Sequence, residues 1–87
     1  MMELVFQTVA WEQYQYWQVA DKKILIRIND LIKDTLRSPF TGIGKPEPLK
    51  GNYSGCWSRR INDEHRLVYA LRDKRLHILQ CRFHYDK

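Results

Sequence analysis

The stretch that decides the fold is residues 56–83, CWSRRINDEHRLVYALRDKRLHILQCRF, where three β-favouring segments follow one another with only turn residues between them. Each segment alternates apolar and polar side chains and is rich in β-branched or aromatic residues, whereas the connections NDE and DK are typical of turns. Strands joined by such short links pair antiparallel, so the stretch predicts a three-stranded meander. The predicted strands are 56–61, 65–72 and 75–83.

Period-two alternation sorts the residues of these strands onto two faces of the sheet. In the middle strand, one face is apolar and is expected to be core; its members are Leu67, Tyr69 and Leu71. The opposite face holds Arg66, Val68, Ala70 and Arg72. In the last strand Ile78, Gln80, Arg82 and His84 are in phase, opposite Leu79, Cys81 and Phe83. We therefore expect Arg66 and His84 to project from a sheet face that the helices leave open, where a basic groove can form.

The first 37 residues predict a short strand, 3–7, and two amphipathic helices. Thr8 is the expected N-cap of a helix over 9–20, whose apolar face carries Ala10, Tyr14 and Trp17. Asp21 is the expected cap of a second helix over 22–37, and Pro39 stops it. The apolar stripe of this second helix consists of Ile24, Ile28, Leu31, Ile32 and Thr35 or Leu36. The predicted fold is α+β in one domain, 1–87, with a helical hairpin on a small antiparallel sheet.

The segment 38–55 contains every proline and glycine of the chain and is predicted to be a long loop pinned by a few apolar side chains. The pinning residues are Phe40, Ile43, Leu49 and Tyr53. Within it, KPEPLK (45–50) holds Glu47 between two prolines that restrict the backbone on both sides. A solvated loop does not need such stiffness, and loops of this length in compact domains are usually functional.

The net charge of +5 lies entirely in the second half of the chain, because residues 1–44 carry five basic and five acidic side chains whereas 45–87 carry ten and five. A one-sided basic surface favours a polyanionic partner such as nucleic acid, although many small basic proteins have no such role.

No apolar run is long enough to span a membrane and no signal peptide is recognisable, so a cytoplasmic location is expected. Cys56 and Cys81 are expected to be buried and reduced; a disulfide requires that their strands be neighbours.

The side chains available for chemistry match those of RNA cleavage by acid–base catalysis, which needs a base, a fixed cation on the phosphate and an acid for the leaving oxygen. Glu47, Arg66 and His84 have these three properties, and Tyr85 is suited to stack on a base or orient the phosphate. The alternatives at this point are a solvated Glu47, an exposed His84, and an Arg66 paired with Glu64 or Asp63. No metal-ligand spacing or phosphate-binding glycine loop is present in the sequence.

Three stretches of the chain, RINDLIKDT (27–35), SPFTGIGKPEPLKGNYSGCWSRRINDEHRLVYA (38–70) and CRFHY (81–85), resemble the YoeB (Txe) toxins of the RelE superfamily. The resemblance implies a RelE-like fold and a type II toxin that enters the ribosomal A site and cuts mRNA there without metal or cofactor. It implies Glu47 as general base, Arg66 as phosphate-stabilising cation, His84 as general acid and Tyr85 as supporting aromatic. Expected products are a 2′,3′-cyclic phosphate and a 5′-OH end.

The resemblance and the basic surface together predict the binding residues and partners. The residues expected to bind RNA phosphates are Lys45, Lys50, Arg59, Arg60 and Arg82. The expected partners are mRNA, the ribosome, a YefM-like antitoxin and a second toxin copy, with no membrane.

Two other functions stay open at the level of the sequence. One is an inactive relative that binds RNA and antitoxin without turnover, and the other is a gyrase-directed toxin of the same superfamily. The chain also departs from typical members of the family: Asp86 and Lys87 follow the terminal tyrosine, and Cys56 replaces a bulky aromatic.

Overall fold

A computed structural model describes residues 2–84, so Tyr85 and the Asp86–Lys87 tail lie outside the described residues. The helices are α1 (Thr8–Ala20) and α2 (Lys22–Arg37). The strands are β1 (Glu3–Phe6), β2 (Glu47–Pro48), β3 (Trp57–Arg60), β4 (Arg66–Arg72) and β5 (Arg75–Gln80), with a 3₁₀ turn at Gly51–Tyr53. The predicted α+β architecture is confirmed.

The strands form one five-stranded sheet in the order β1-β5-β4-β3-β2. The predicted antiparallel meander is confirmed as β3, β4 and β5, and the edge strand β1 adds a parallel pairing with β5 from Glu3↔Arg75 to Phe6↔Ile78. The prediction of an unbroken loop over 38–55 is wrong at Glu47–Pro48, which pairs antiparallel with β3. Proline is tolerated there because β2 is an edge strand and needs no amide donor on its outer side.

The two helices pack on one face of the sheet, and their predicted apolar faces form the main core. Asp21 caps α2 as predicted, since its carboxylate accepts from the backbone amides of Lys23 and Ile24. At α1 the prediction was one residue late: Gln7 is the N-cap, without a side-chain cap bond, and Thr8 is already helical. Within residues 2–84 no helix is both long and apolar enough to cross a membrane.

A β-bulge at Leu79 changes the phase of the last strand. Tyr69 pairs with Ile78 and Val68 pairs with Gln80, so Leu79 is an extra residue in β5. The strict alternation predicted from sequence is therefore wrong beyond this point, and its assignment of faces is also wrong at Ile78, which packs in the helix-side core instead of on the face that the helices leave open. Cys81 packs in the same helix-side core as Ile78 instead of on the opposite face, and β5 ends at Gln80 instead of continuing to 83.

The sheet face opposite the helices is covered at its centre by a second, smaller core, which corrects the expectation of a fully open face. Leu49 and Cys56 from the long loop pack there against Val68 and Ala70 of β4. Cys56 and Cys81 are thus free, buried thiols in separate cores, as expected for reduced cysteines. Leu71, expected in the core, is 38 % exposed near the end of β4.

The loop between α2 and β2 is held mainly by Arg59, whose side chain is completely buried under the helix side of the sheet. All five N–H groups of its guanidinium donate hydrogen bonds of 2.6–3.2 Å. The acceptors are the Asp34 carboxylate, the Tyr69 hydroxyl and the backbone carbonyls of Ser38, Thr41 and Ile43. Arg59 therefore ties α2, the loop and β4 together. It holds the loop mainly through backbone carbonyls, whereas Phe40 and Ile43, which were predicted to pin the loop, remain about half exposed.

Replacing Arg59 by lysine should destabilise the protein by at least about 3 kcal/mol, because an ammonium group cannot satisfy five acceptors spread around a planar fork. Urea denaturation followed by circular dichroism measures the change. The matched control is Arg72→Lys on exposed strand surface, which should alter stability by less than about 0.5 kcal/mol. Equal effects of the two substitutions would contradict the structural role of Arg59.

Asp34 makes this network sensitive to acid. Hydrogen bonds from Arg59, from the Ile43 amide and from Arg37 lower the pKa of Asp34 from 3.8 to about 2. Because the pKa of Asp34 is lower in the folded protein than in the unfolded chain, its carboxylate stabilises the fold at pH values above the unfolded-state pKa. This contribution to the free energy of unfolding is lost as the pH falls. The free energy of unfolding should therefore decline from about pH 4 towards pH 2, and Asp34→Asn should flatten this decline, whereas Asp30→Asn on the exposed side of α2 should leave it unchanged.

Candidate active site

Arg66, at the start of β4, is a nearly buried cation held by backbone carbonyls. Its Nη1 donates to the carbonyls of Asn62, Asp63 and His65 at 2.7, 3.3 and 3.1 Å, so the guanidinium is fixed over the turn between β3 and β4. Among residues 2–84 no carboxylate lies within 4 Å of it, and the predicted alternative of an ion pair with Glu64 or Asp63 is wrong. Arg66 thus retains its positive charge in a poorly hydrated position, which favours binding of an anion.

A second arginine stands directly opposite Arg66 across the sheet. Arg60 on β3 is its cross-strand partner, and its side chain is exposed. Two like charges directly opposite each other on paired strands repel, so this pair by itself lowers the stability of the fold. The Arg60 amide donates to the Gly44 carbonyl at 2.7 Å, which places Lys45 beside the same pair. A row of cations therefore lies at this end of the sheet, in which Lys45 and Arg60 are exposed and Arg66 is nearly buried.

Glu47 lies two residue positions away from this row, on edge strand β2. The register Glu47↔Ser58, Ser58↔Val68, Val68↔Gln80 places its Cα in a cross-strand row whose side chains share the face opposite the helices. Arg66 projects from the same face, since it precedes Val68 by two residues. Strand spacing puts Glu47 about 10 Å across the sheet from β4. Glu47 and Arg66 therefore belong to the same face of the sheet, with β3 between their strands.

The backbone before Glu47 is strained. Gly44 has a φ of 80° and Lys45 has a φ of 52°, which is rare for a residue with a side chain and unfavourable before proline. Strain of this kind persists only where the surroundings impose it, and it is common at functional sites. Here the Arg60 amide and the close packing around Gly44 impose it.

The segment that carries His84 lies on the other side of Arg66. The Arg66 amide donates to the Phe83 carbonyl at 3.0 Å, so the terminal segment runs alongside the first residue of β4. His84 follows directly and is exposed. The fold therefore brings Glu47, Arg66 and His84 to one region with Arg66 between the other two, whereas the prediction for Tyr85 falls on a residue outside the described range.

The residues predicted to bind phosphate separate into three groups. Lys45, Lys50 and Arg60 are exposed in or beside the loop and β3. Arg82 lies over the Tyr16 ring of α1 at 3.7 Å from the ring centroid, so its charge is held on the side of the helices. The prediction for Arg59 is contradicted: its guanidinium is buried and every N–H is already bonded, which leaves nothing for a phosphate.

Two residues that support the site were not singled out from sequence. The Asn62 carboxamide accepts from the amides of Glu64 and His65 and so shapes the turn under Arg66. The His65 ring accepts from the Phe83 amide at 2.7 Å. The role of Asn62 had a signal in the sequence, the NDEH turn immediately before a strand, because asparagine favours such turns. The role of His65 had none, because a single histidine does not indicate which group its ring contacts.

Comparison with known proteins matches residues 6–85 to the model of the YoeB-like toxins of bacterial type II toxin–antitoxin systems. The chain belongs to the YoeB toxin family. Toxin YoeB of Escherichia coli K12 is 60 % identical over 84 residues, covering 97 % of this chain and all of the relative. Among solved structures, the YoeB/ParE toxin from Agrobacterium tumefaciens superposes with a TM-score of 0.94 at 51 % identity, covering 97 % of this chain and all of the other.

Two Staphylococcus aureus structures of the same family show assemblies. A YoeB dimer matches with a TM-score of 0.89 at 47 % identity, covering 97 % of this chain and 98 % of the other. A YoeB–YefM complex matches with a TM-score of 0.88 at 45 % identity, covering 98 % and 99 %. The YoeB family resemblance read from the sequence and the predicted fold are thereby confirmed, and this protein is a toxin of a toxin–antitoxin system.

Gly44→Ala should displace the segment that leads to Glu47. A Cβ there would lie 2.7 Å from Leu31 Cδ2, 3.2 Å from Arg59 Cβ and 3.3 Å from the Arg60 carbonyl. Gly51→Ala is the matched control, because Gly51 also has a positive φ, of 64°, but open space around it. We expect the Gly44 variant to lose clearly more stability in urea and to shift the amide signal of Glu47 in NMR spectra. Indistinguishable variants would show that packing around Gly44 does not position the loop.

Proposed function

We propose that this toxin is a ribosome-dependent endoribonuclease that cleaves mRNA in the ribosomal A site by acid–base catalysis with its own side chains. The observation that carries the proposal is Arg66, a nearly buried guanidinium without a carboxylate partner among residues 2–84, placed between the strand of Glu47 and the segment of His84. Membership of the YoeB family supports it.

In the proposed reaction Glu47 removes the proton of a ribose 2′-hydroxyl, and the resulting oxygen attacks the adjacent phosphorus. Its edge strand and flanking prolines limit how far the carboxylate can move, and a misplacement of about 1 Å can reduce such a rate about 100-fold. Arg66 stabilises the negative charge that develops on the phosphorane oxygens. Its fixed position over the turn means that little reorganisation is needed when the charge appears.

His84 in its protonated form then gives a proton to the 5′-oxygen as the bond from phosphorus to that oxygen breaks. The products are a 2′,3′-cyclic phosphate and a 5′-OH end, and the proton taken by Glu47 balances the one released by His84. Tyr85, next in the chain, is assigned to orient the phosphate or stack on a base. Lys45, Lys50 and Arg60 attract the backbone of the RNA to this end of the sheet.

The same row of cations is suited to an acidic antitoxin segment, and we propose a YefM-like inhibitor that covers it. Charge complementarity favours this pairing because the peptide and the RNA compete for the same groups. The Staphylococcus aureus YoeB–YefM complex and YoeB dimer support an antitoxin partner and a homodimer. Since the proposed substrate is on the ribosome, the reaction takes place in the cytoplasm.

The test uses purified protein, ribosomes programmed with a defined mRNA, and mapping of the new RNA ends by primer extension. Glu47→Gln and His84→Ala should each slow cleavage by at least about 100-fold, because each removes a proton-transfer group. The matched control is Glu12→Gln on the exposed side of α1, which should cleave at the parental rate.

Each alternative gives a different result in the same experiment. If the parent binds programmed ribosomes but leaves the mRNA intact, the protein is a binding relative without turnover. If the mRNA remains intact while induction in cells produces DNA-damage markers, the target is gyrase. If the Glu47 and His84 variants cleave as fast as the parent, the assignment of base and acid is wrong.

A further inference from the structure

The segment that leads to His84 adopts a backbone conformation that it would not adopt alone. β5 ends at Gln80, and Phe83 has a φ of 67°, a left-handed conformation that is unfavourable for a bulky aromatic residue. Such a conformation requires specific contacts to hold it. The contacts to Phe83 therefore decide where the next residue, His84, lies.

Two consecutive residues, His65 at the end of the turn and Arg66 at the start of β4, bond to the backbone N–H and to the backbone carbonyl of Phe83. The His65 Nδ1 atom accepts the Phe83 N–H at 2.7 Å, and the Arg66 N–H donates to the Phe83 carbonyl at 3.0 Å. The Gln80 side chain also donates to that carbonyl at 3.2 Å. Arg66 Nη1 in turn bonds the His65 carbonyl, so His65, Arg66 and the approach to His84 form one connected unit.

The His65 ring is itself fixed. It is nearly buried, and the ring of Trp17 from α1 packs against it edge-on, with centroids 4.9 Å apart. To accept a hydrogen bond at Nδ1 the imidazole must be unprotonated there, with its proton on Nε2. Nε2 lies 3.6 Å from the Glu64 carboxylate, which is compatible with that tautomer. If both nitrogens were protonated, two N–H groups would point at each other and the contact to Phe83 would be lost.

We propose that His65 is a positioning residue for the reaction: its unprotonated Nδ1 holds the Phe83 amide and thereby places His84 against Arg66. This inference rests on the proposed role of His84 in cleavage. It assigns opposite protonation states to the two histidines, since His84 must carry a proton to act as the acid and His65 must lack one at Nδ1. The contact between His65 and Phe83 can also be tested without any cleavage assay.

The charges around His65 set the pH range of this contact. Burial lowers the pKa of His65 from 6.5; the Glu64 carboxylate opposes this shift, and the cations Arg82 and Arg66 reinforce it. No other charged group is among the causes of the shift within the described residues. The unprotonated form therefore predominates at pH 6.5 and above, and the contact weakens as the pH falls through the lowered pKa of His65.

The direct test is an NMR titration of the full-length protein. The Phe83 amide proton and the His65 ring signals should titrate together, with one midpoint below 6.5, and the protection of the Phe83 amide from hydrogen exchange, relative to its intrinsic rate at each pH, should fall on the acid side. Independent titrations, or a Phe83 amide unaffected by pH, would overturn the proposal whether or not the protein cleaves mRNA.

The functional test compares two replacements of His65 in the programmed-ribosome assay. His65→Phe keeps a ring against Trp17 but removes the acceptor, and we expect kcat to fall about 100-fold with little change in KM. His65→Asn supplies an oxygen near the position of Nδ1 and does not titrate. It should recover at least about a tenth of the parental kcat and lose the decline in rate that His65 protonation causes at acid pH.

The control for ring substitution is His77→Phe in the middle of β5, where the half-buried ring contacts Gln7. It should cleave like the parent. Parental kcat in His65→Phe, together with a large loss in His84→Ala, would overturn the positioning role and leave the proposed function intact. The converse pattern, linked titration in NMR but full cleavage by His84→Ala, would retain the contact and reject the role of His84 as acid.

Discussion

The buried guanidinium of Arg59 is the interaction on which the rest of this structure depends. A cation without water must have all its donors satisfied, and the five acceptors here come from α2, from β4 and from a loop without regular structure. The loop acquires a defined path because its carbonyls are needed as acceptors. That path delivers Gly44 to the Arg60 amide and, three residues later, Glu47 to the edge of the sheet.

Arg59 and Arg66 show how the same side chain serves two purposes in a small fold. The charge of Arg59 is neutralised by Asp34, whereas Arg66 is surrounded by the neutral carbonyls of the turn before β4. An ion pair in the interior contributes to structure, but a cation held only by dipoles keeps an electrostatic field that a phosphate can use. The basic stretch of the sequence is thus divided between a structural centre and a surface that attracts anions.

The candidate site lies at one end of the sheet because three separate chain segments meet there. β2 brings Glu47 on one side, the turn of residues 61–65 supports Arg66 in the middle, and the chain leaving β5 brings His84 on the other. The Leu79 bulge contributes to this arrangement, since it directs Cys81 into the helix-side core and ends the strand at Gln80. Beyond that point the backbone is held by His65, Arg66 and Gln80 instead of by a strand ladder.

Local patterns of the sequence by themselves determined the two helices, the Asp21 cap, the antiparallel meander and the YoeB family, because periodicity, turn residues and a long motif are all properties of neighbouring residues. They also nominated Glu47, Arg66 and His84. Only the tertiary structure decided which arginine is buried, that Glu47 belongs to a strand, that a bulge reverses the phase of β5, and that His65 holds the Phe83 amide. These features depend on pairs of groups 10 to 25 residues apart or on one extra residue in a ladder, and no local pattern encodes either.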